Sequence, residues 1–167
     1  MLVRENTKTM TNLLKKITFM IETRVFNTTK KPSLERKTNL INFLYEHLQE
    51  YGDPISDIEK AVNYALKETI SFGGFILVSY LENIIVGVVV VDKTGMKDFI
   101  PENILVYIAT HKDYRGQGIG KKLVQKTIDL AEGNIALHVE PQNPARSLYK
   151  KMGFNSKYVE MRFKRNN

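Results

Sequence analysis

Hydrophobic residues recur at helical spacing in two stretches of the first half of the chain. The first stretch predicts a helix from about Ser33 to Glu50, with Gly52 beyond its end. Its apolar face comprises Leu40, Ile41, Leu44 and Leu48. The second stretch predicts a helix that begins at Ser56, with Glu59 completing a capping box. Its apolar face comprises Ile58, Val62, Leu66 and Ile70.

The pattern then changes to that of β-strands. The run FILVSYLENIIVGVVVV, from residue 75, predicts a hairpin that turns at Glu82 and Asn83. Its second arm is apolar on both faces, which indicates a central strand covered on both sides. Residues 103–110, 135–139 and 157–163 are predicted to be further strands. The pattern of residues 1–31 fits either a helix or, in ITFMIETRVF, a first strand.

Two more helices alternate with these strands and complete a mixed α/β sheet. One is predicted to follow residue 118 and to stop at Gly133, and the other runs from Asn143 and Pro144 to Gly153. The inward positions of the first are Ile119, Leu123, Val124, Ile128 and Ala131. Alternating helices and strands of this kind indicate a single α/β domain.

The composition narrows the classes of partner. There is no cysteine, which excludes disulfides and fits a reducing compartment, so we expect a cytoplasmic protein. No apolar run approaches the roughly 18 residues that span a bilayer. The net charge of +7 favours an anionic partner: nucleic acid, an acidic membrane or a phosphorylated small molecule.

A glycine-rich turn has the features of a site that binds the phosphate of a small molecule. RGQGIG, residues 115–120, leaves a predicted strand and opens a predicted helix, whose first amides have no intrahelical acceptor. Glycines at 116, 118 and 120 allow a phosphate to approach the main chain, and Arg115 and Lys121 add positive charge. The spacing excludes a Walker-type loop and a dinucleotide fingerprint, because Lys122 and Leu123 stand where those motifs require a hydroxyl residue and a glycine.

Two segments together resemble one family. RGQGIG is similar to the R/Q-x-x-G-x-G/A signature of the GNAT N-acetyltransferases, and NPARSLYKKMGF, residues 143–154, is similar to their second signature. The resemblance extends from about Phe75 to the C-terminus. It implies an acetyltransferase domain over residues 32–167, preceded by an N-terminal segment 1–31. It also implies a GNAT fold, in which two strands of a mixed sheet splay apart and helices flank the sheet.

The resemblance implies a cofactor and the residues that hold it. Acetyl-CoA would place its pyrophosphate on the glycine loop and its pantetheine against the strand that enters the loop. The implied contacts are Ile108, Ala109, Thr110, Arg115, Gly116, Gln117, Gly118, Ile119, Gly120, Lys121, Asn143 and Tyr149. No metal is implied.

Acetyl transfer to an amine requires proton transfers, and three side chains are candidates for them. Tyr149, at the Leu-Tyr position of the second signature, would protonate the departing thiolate. His138 and Glu102 are alternative bases, and a chain of water molecules is a third possibility. In LHVEPQN, His138 shares a strand face with Glu140, opposite Leu137 and Val139.

The expected function is therefore acetyl-CoA-dependent transfer of an acetyl group to a primary amine of a small molecule, peptide or protein, by direct attack in a ternary complex. The alternative is a non-catalytic sensor that binds acyl-CoA. We expect neither a nucleic-acid nor a membrane partner, because the positive charge is explained by the phosphates of CoA and the sequence contains no nucleic-acid-binding motif. A monomer and a homodimer are both open, and the identity of the acceptor is not predicted.

Overall fold

The computed structural model describes residues 21–165, which form a five-stranded mixed sheet flanked by four helices. In chain order the elements are β1 (Ile21–Asn27), α1 (Leu34–Leu48), α2 (Ile55–Ala65), β2 (Gly74–Leu81), β3 (Ile84–Lys93), β4 (Asn103–Thr110), α3 (Ile119–Leu130), β5 (Ile135–Leu137) and α4 (Ala145–Lys151). Short 3₁₀ turns, Gln49–Tyr51 and Lys112–Tyr114, follow α1 and β4. No helix within the described range is long and apolar enough to cross a membrane.

The strands lie in sequence order, β1-β2-β3-β4-β5. The first four pair antiparallel, and β5 pairs parallel to β4. The hairpin between β2 and β3 turns at Glu82 and Asn83, as predicted. The central position of β3 is also confirmed, since Val86 and Val88–Val91 are fully buried.

Helices cover both faces of the sheet and divide the core into two layers. On one face α1 and α2 pack through their apolar stripes onto Val88, Val90 and Tyr107. On the other face α3 packs Ile119 and Leu123 onto the opposite side of β3. Gly87 makes this second contact close: a methyl group there would lie 2.6 Å from Leu123 Cδ1. The absence of a side chain at Gly87 therefore lets the start of α3 rest on the sheet.

Two predicted helix boundaries have different outcomes. The Ser33 hydroxyl accepts a hydrogen bond from the Arg36 amide at 3.3 Å, which confirms the start of α1. The capping box at Ser56 is wrong, because α2 begins one residue earlier and its first amides bond the Pro54 carbonyl. Pro54 is the residue before the helix and its carbonyl accepts these first bonds, so Ser56 already lies inside the helix. Ile70 is fully exposed, because α2 ends at Ala65.

The ends of the chain also differ from the pattern. Residues 21–27 form the predicted first strand, whereas the helical alternative rests largely on residues outside the described range. The predicted strand at 157–163 is wrong: this stretch pairs with no described strand. Its apolar side chains, Tyr158, Val159, Met161 and Phe163, are exposed. An alternating pattern produces a strand only where a sheet edge accepts it, and β5 is only three residues long.

One buried carboxyl group opposes folding at high pH. Asp92 lies on β3 opposite Gly74 and Ile104, and its Oδ1 is buried without a partner among the described residues. Burial raises the pKa of Asp92 from 3.8 to about 7. The folded state therefore holds this proton more tightly than the unfolded chain, and stability is lost as the pH rises from about 4 to about 7.

Replacing this carboxyl group by an amide should stabilise the protein only at high pH. We expect Asp92→Asn to raise the free energy of unfolding by roughly 1–3 kcal/mol at pH 8 and to change it much less at pH 5. Urea unfolding at both pH values measures the difference, with the exposed Asp98→Asn as the control. An equal effect at the two pH values would contradict the assigned cause.

Candidate active site

The pairing of β4 with β5 is unusually short. Only Asn103–Leu105 pair with Ile135–Leu137, although β4 continues for five more residues to Thr110. A register shift at Val90 and Val91 of β3 lies beside the point where the two strands part. A bulge of this kind increases the local twist of the strand and re-aims its side chains. The main chain from residue 106 to residue 110 thus has no β5 partner, and the predicted contacts Ile108, Ala109 and Thr110 all lie on it.

The glycine loop opens onto free space at the end of β4. Gly116 and Gly118 have φ values of 76° and 83°, a region that favours glycine, and a methyl group on either would touch nothing within 4 Å. Gly118 is the residue before α3, and its carbonyl accepts the amide of Lys122 at 3.1 Å. The amides of Ile119, Gly120 and Lys121 precede this first intrahelical bond. The loop therefore fits a phosphate group that is bound by main-chain amides.

The end of β4, the start of α3 and α4 meet at one point. A methyl group on Gly120 would lie 3.4 Å from Leu148 Cδ2 and 3.6 Å from Thr110 Oγ1. The Asn143 side chain, two residues before α4, accepts the amide of Ala145, the first residue of that helix, at 2.9 Å. The fold thus brings together segments from both signatures, which are more than twenty residues apart in the sequence.

Tyr149 follows Leu148 on α4 and is buried. Its side chain is 7% exposed, and its ring packs edge-on against Phe154 with a centroid distance of 6.0 Å. Burial raises the pKa of Tyr149 to about 12. The hydroxyl therefore keeps its proton at neutral pH and is able to donate a hydrogen bond.

The two candidate bases lie in different places. His138 directly follows β5, on the far side of the splay, and is exposed, with its Nε2 3.9 Å from the Glu160 carboxylate. Glu102 directly precedes β4, at the end where β4 and β5 are paired. Its carboxylate accepts the Asn134 amide at 2.7 Å, and this bond lowers the pKa of Glu102. The structure therefore does not bring Glu102 together with the glycine loop. Its carboxylate instead accepts a main-chain hydrogen bond from the turn before β5.

The Arg115 side chain is directed to α1. Its guanidinium donates to the His47 carbonyl and to Gln49 Oε1, each at 2.8 Å, and its Nε lies 3.4 Å from the Thr110 carbonyl. The motif alone associates this arginine with phosphate. In the structure its main chain belongs to the glycine loop, whereas its side chain binds the end of a helix.

A polar group that sequence analysis missed lies on the α1–α2 face of β4. The Tyr107 hydroxyl donates to the Asp53 carboxylate at 2.7 Å, which ties the connection between α1 and α2 to the sheet. Burial raises the pKa of Tyr107, and the bond to Asp53 and the negative charges of Asp57 and Asp92 raise it further. No sequence signal could have found this group, because Asp53 and Tyr107 are 54 residues apart.

Comparison with known proteins agrees with this geometry. Residues 73–156, half of the chain, match the family model described as an acetyltransferase (GNAT) domain. The chain belongs to the GNAT acetyltransferase family. Members of this family transfer acetyl groups from acetyl-CoA, and the predicted family and α/β fold are confirmed.

Solved structures share this GNAT fold at low sequence identity. An aminoglycoside N-acetyltransferase in complex with CoA superposes with a TM-score of 0.63 at 12% identity, over 88% of this chain and 95% of its own. The ribosomal-protein-alanine N-acetyltransferase of Brucella melitensis biovar Abortus 2308 gives 0.61 at 18% identity, over 86% and 98%. A transcriptional regulator from Bacillus halodurans C-125 gives 0.60 at 19% identity, over 86% and 99%. No curated protein sequence matches the chain.

A substitution in the glycine loop should weaken cofactor binding without a steric clash. Gly118→Ala forces an alanine into a left-handed conformation and should shift the first amides of α3. We expect CoA affinity, measured by calorimetry, to fall about tenfold or more. Gly153→Ala is a matched control, since Gly153 also has a positive φ and free space but lies beyond α4. An equal loss of affinity in both variants would contradict the role of the loop.

Proposed function

We propose that this chain is an acetyl-CoA-dependent N-acetyltransferase that acts on a primary amine of a small molecule, peptide or protein by direct attack in a ternary complex. The observation that carries the proposal is the position of the unpaired main chain of β4 beside the open glycine loop. The domain spans residues 32–167, and residues 21–27 of the preceding segment add β1 to its sheet. We propose that it functions in the cytoplasm as a monomer or homodimer, with no nucleic-acid or membrane partner.

The residues present fit the cofactor. The main-chain amides of residues 116–121 would hold the pyrophosphate, with additional charge from Lys121. The free main-chain groups of Ile108–Thr110 would bind the pantetheine in the manner of an added strand, with Asn143 and Tyr149 on the opposite side of the cleft. Acetyl-CoA supplies the activated acetyl thioester.

The chain provides for the charges and protons of the reaction. The amine nitrogen bonds to the thioester carbonyl carbon as the carbon–sulfur bond breaks, and the proton that nitrogen loses is balanced by one gained at sulfur. A main-chain amide of β4 would stabilise the developing negative charge on oxygen. Tyr149, protonated at neutral pH, would donate to the departing sulfur. His138 or water would take the proton of the amine, and Glu102 is not retained in this role, because it lies at the paired end of β4.

The acceptor would bind beneath the connection between α1 and α2. The Tyr107 hydroxyl bonds the Asp53 carboxylate there, and the charge of Asp57 also acts on it, so this face favours an acceptor that carries positive charge. Two of the proteins of similar fold are named as N-acetyltransferases, one of aminoglycosides and one of a ribosomal-protein alanine. Both kinds of acceptor carry an amino group.

Release of CoA thiol from acetyl-CoA tests the proposed function. The acceptor panel should include polyamines, aminoglycosides, amino acids and peptides with free N-termini. Transfer to at least one amine, with the acetylated product identified by mass spectrometry, is the expected result. Tight CoA binding without transfer to any of them would instead favour the acyl-CoA sensor.

The role of Tyr149 has its own test. We expect Tyr149→Phe to reduce kcat about 10- to 100-fold while CoA affinity stays within about threefold of the unchanged protein, because only the hydroxyl is lost. The exposed Tyr158→Phe is the control. An unchanged kcat in Tyr149→Phe would remove the tyrosine from the mechanism.

A further inference from the structure

Arg115 joins three segments that are distant in the sequence. Its guanidinium bonds the carbonyl of His47 in the last turn of α1, the side chain of Gln49 just beyond that helix, and more weakly the carbonyl of Thr110 at the end of β4. The planar guanidinium has donors in a fixed geometry, which allows one side chain to hold several acceptors. These acceptors are neutral and belong to the protein, so the bonds of this arginine involve no group of the cofactor.

Aromatic rings reinforce the same junction. The rings of His47 and His111 are 4.4 Å apart, Phe43 lies 4.4 Å from His47, and Tyr114 meets His111 edge-on at 5.2 Å. His47 is 4% exposed, and burial together with the neighbouring His111 lowers its pKa, so the ring stays neutral. The end of α1 is therefore packed directly on the segment that leads into the glycine loop.

The turn that leaves this junction is held at both of its ends. Gln49 has φ 55° and ψ −132°, a conformation that is costly for a residue with a side chain and persists only where surrounding contacts enforce it. Four residues later, Asp53 accepts the Tyr107 hydroxyl bond from the middle of β4. The connection from Gln49 to Pro54, here named the acceptor turn, is thus linked to the glycine loop through Arg115 at one end and to β4 through Tyr107 at the other.

We propose that Arg115 is a positioning residue, whose side chain transmits the ordering of the glycine loop by CoA to the acceptor turn. The inference rests on the proposed function, in which this turn forms a wall of the acceptor site. Because the Arg115 main chain lies in the loop and its side chain holds Gln49, a cofactor that orders the loop also orders the turn. Cofactor binding then prepares the acceptor site through coupling between the two sites.

Hydrogen exchange with CoA as the probe tests this coupling without knowledge of the acceptor. In the unchanged protein, saturating CoA should slow exchange of the amides from Gln49 to Asp53 about five- to tenfold. In Gln49→Gly and in Arg115→Lys this slowing should fall below about twofold. Glycine has no side-chain acceptor, and lysine lacks the several donors in fixed geometry that the guanidinium has. CoA affinity should stay within about threefold of the unchanged protein in Gln49→Gly.

Two controls separate coupling from folding and from phosphate binding. Lys67→Gly also removes a side chain at a positive φ, 56°, but lies beyond α2 and should leave the slowing unchanged. Gln49→Gly relieves backbone strain, so thermal unfolding should show a folded protein. If Arg115 instead binds phosphate, Arg115→Lys keeps the charge and retains the slowing, which would overturn the proposal.

The outcomes also distinguish this inference from the proposed function. If CoA binds and still slows exchange in the acceptor turn of both variants, the positioning role of Arg115 is wrong, whereas the proposed acetyl transfer is not affected. If the protection follows the expected pattern but no amine is acetylated, the coupling stands and the catalytic function fails. If CoA does not bind the unchanged protein, both fail.

Discussion

The site depends on main-chain hydrogen-bonding groups that β4 leaves without a strand partner on its β5 side. A sheet normally pairs these groups, since leaving them buried and unpaired costs free energy. Here β5 pairs with only three residues of β4, and α3 occupies the connection between the two strands, so that the strands are free to diverge. The remaining length of β4 presents a row of donors and acceptors on its β5 side that an extended ligand would satisfy.

In the proposed reaction the two faces of the sheet would contribute different parts. The α3 face carries the glycine loop, where positive φ angles and open space favour a bound phosphate. The α1–α2 face carries Tyr107 and the nearby carboxylates, which favour a cationic group. Because β4 is shared by both faces, the thioester and the amine would meet at the strand itself.

The sequence was sufficient where the signal is local. Gly118 and Asn143 are recognisable from neighbouring residues, and the two β-branched runs define the hairpin and its central strand. Contacts between distant segments could not be predicted: neither the Arg115 bond to His47 nor the Tyr107 bond to Asp53 has a periodic pattern. The segment from residue 157 shows the opposite limitation. Its apolar and polar residues alternate as in a strand, but no described strand pairs with it. Likewise Ser56 satisfies a capping motif, but the helix begins before it, at Ile55.

Gly87 gives the central strand an influence on the position of the glycine loop. Its hydrogen allows Ile119 and Leu123 to rest on β3, and Ile119 is the first residue of the helix whose amides face the loop. A side chain at this position would have to displace the Leu123 and Ile119 side chains, on which the start of that helix rests. In the proposed site the seat of the diphosphate would therefore be shaped from beneath, by a residue of the central strand.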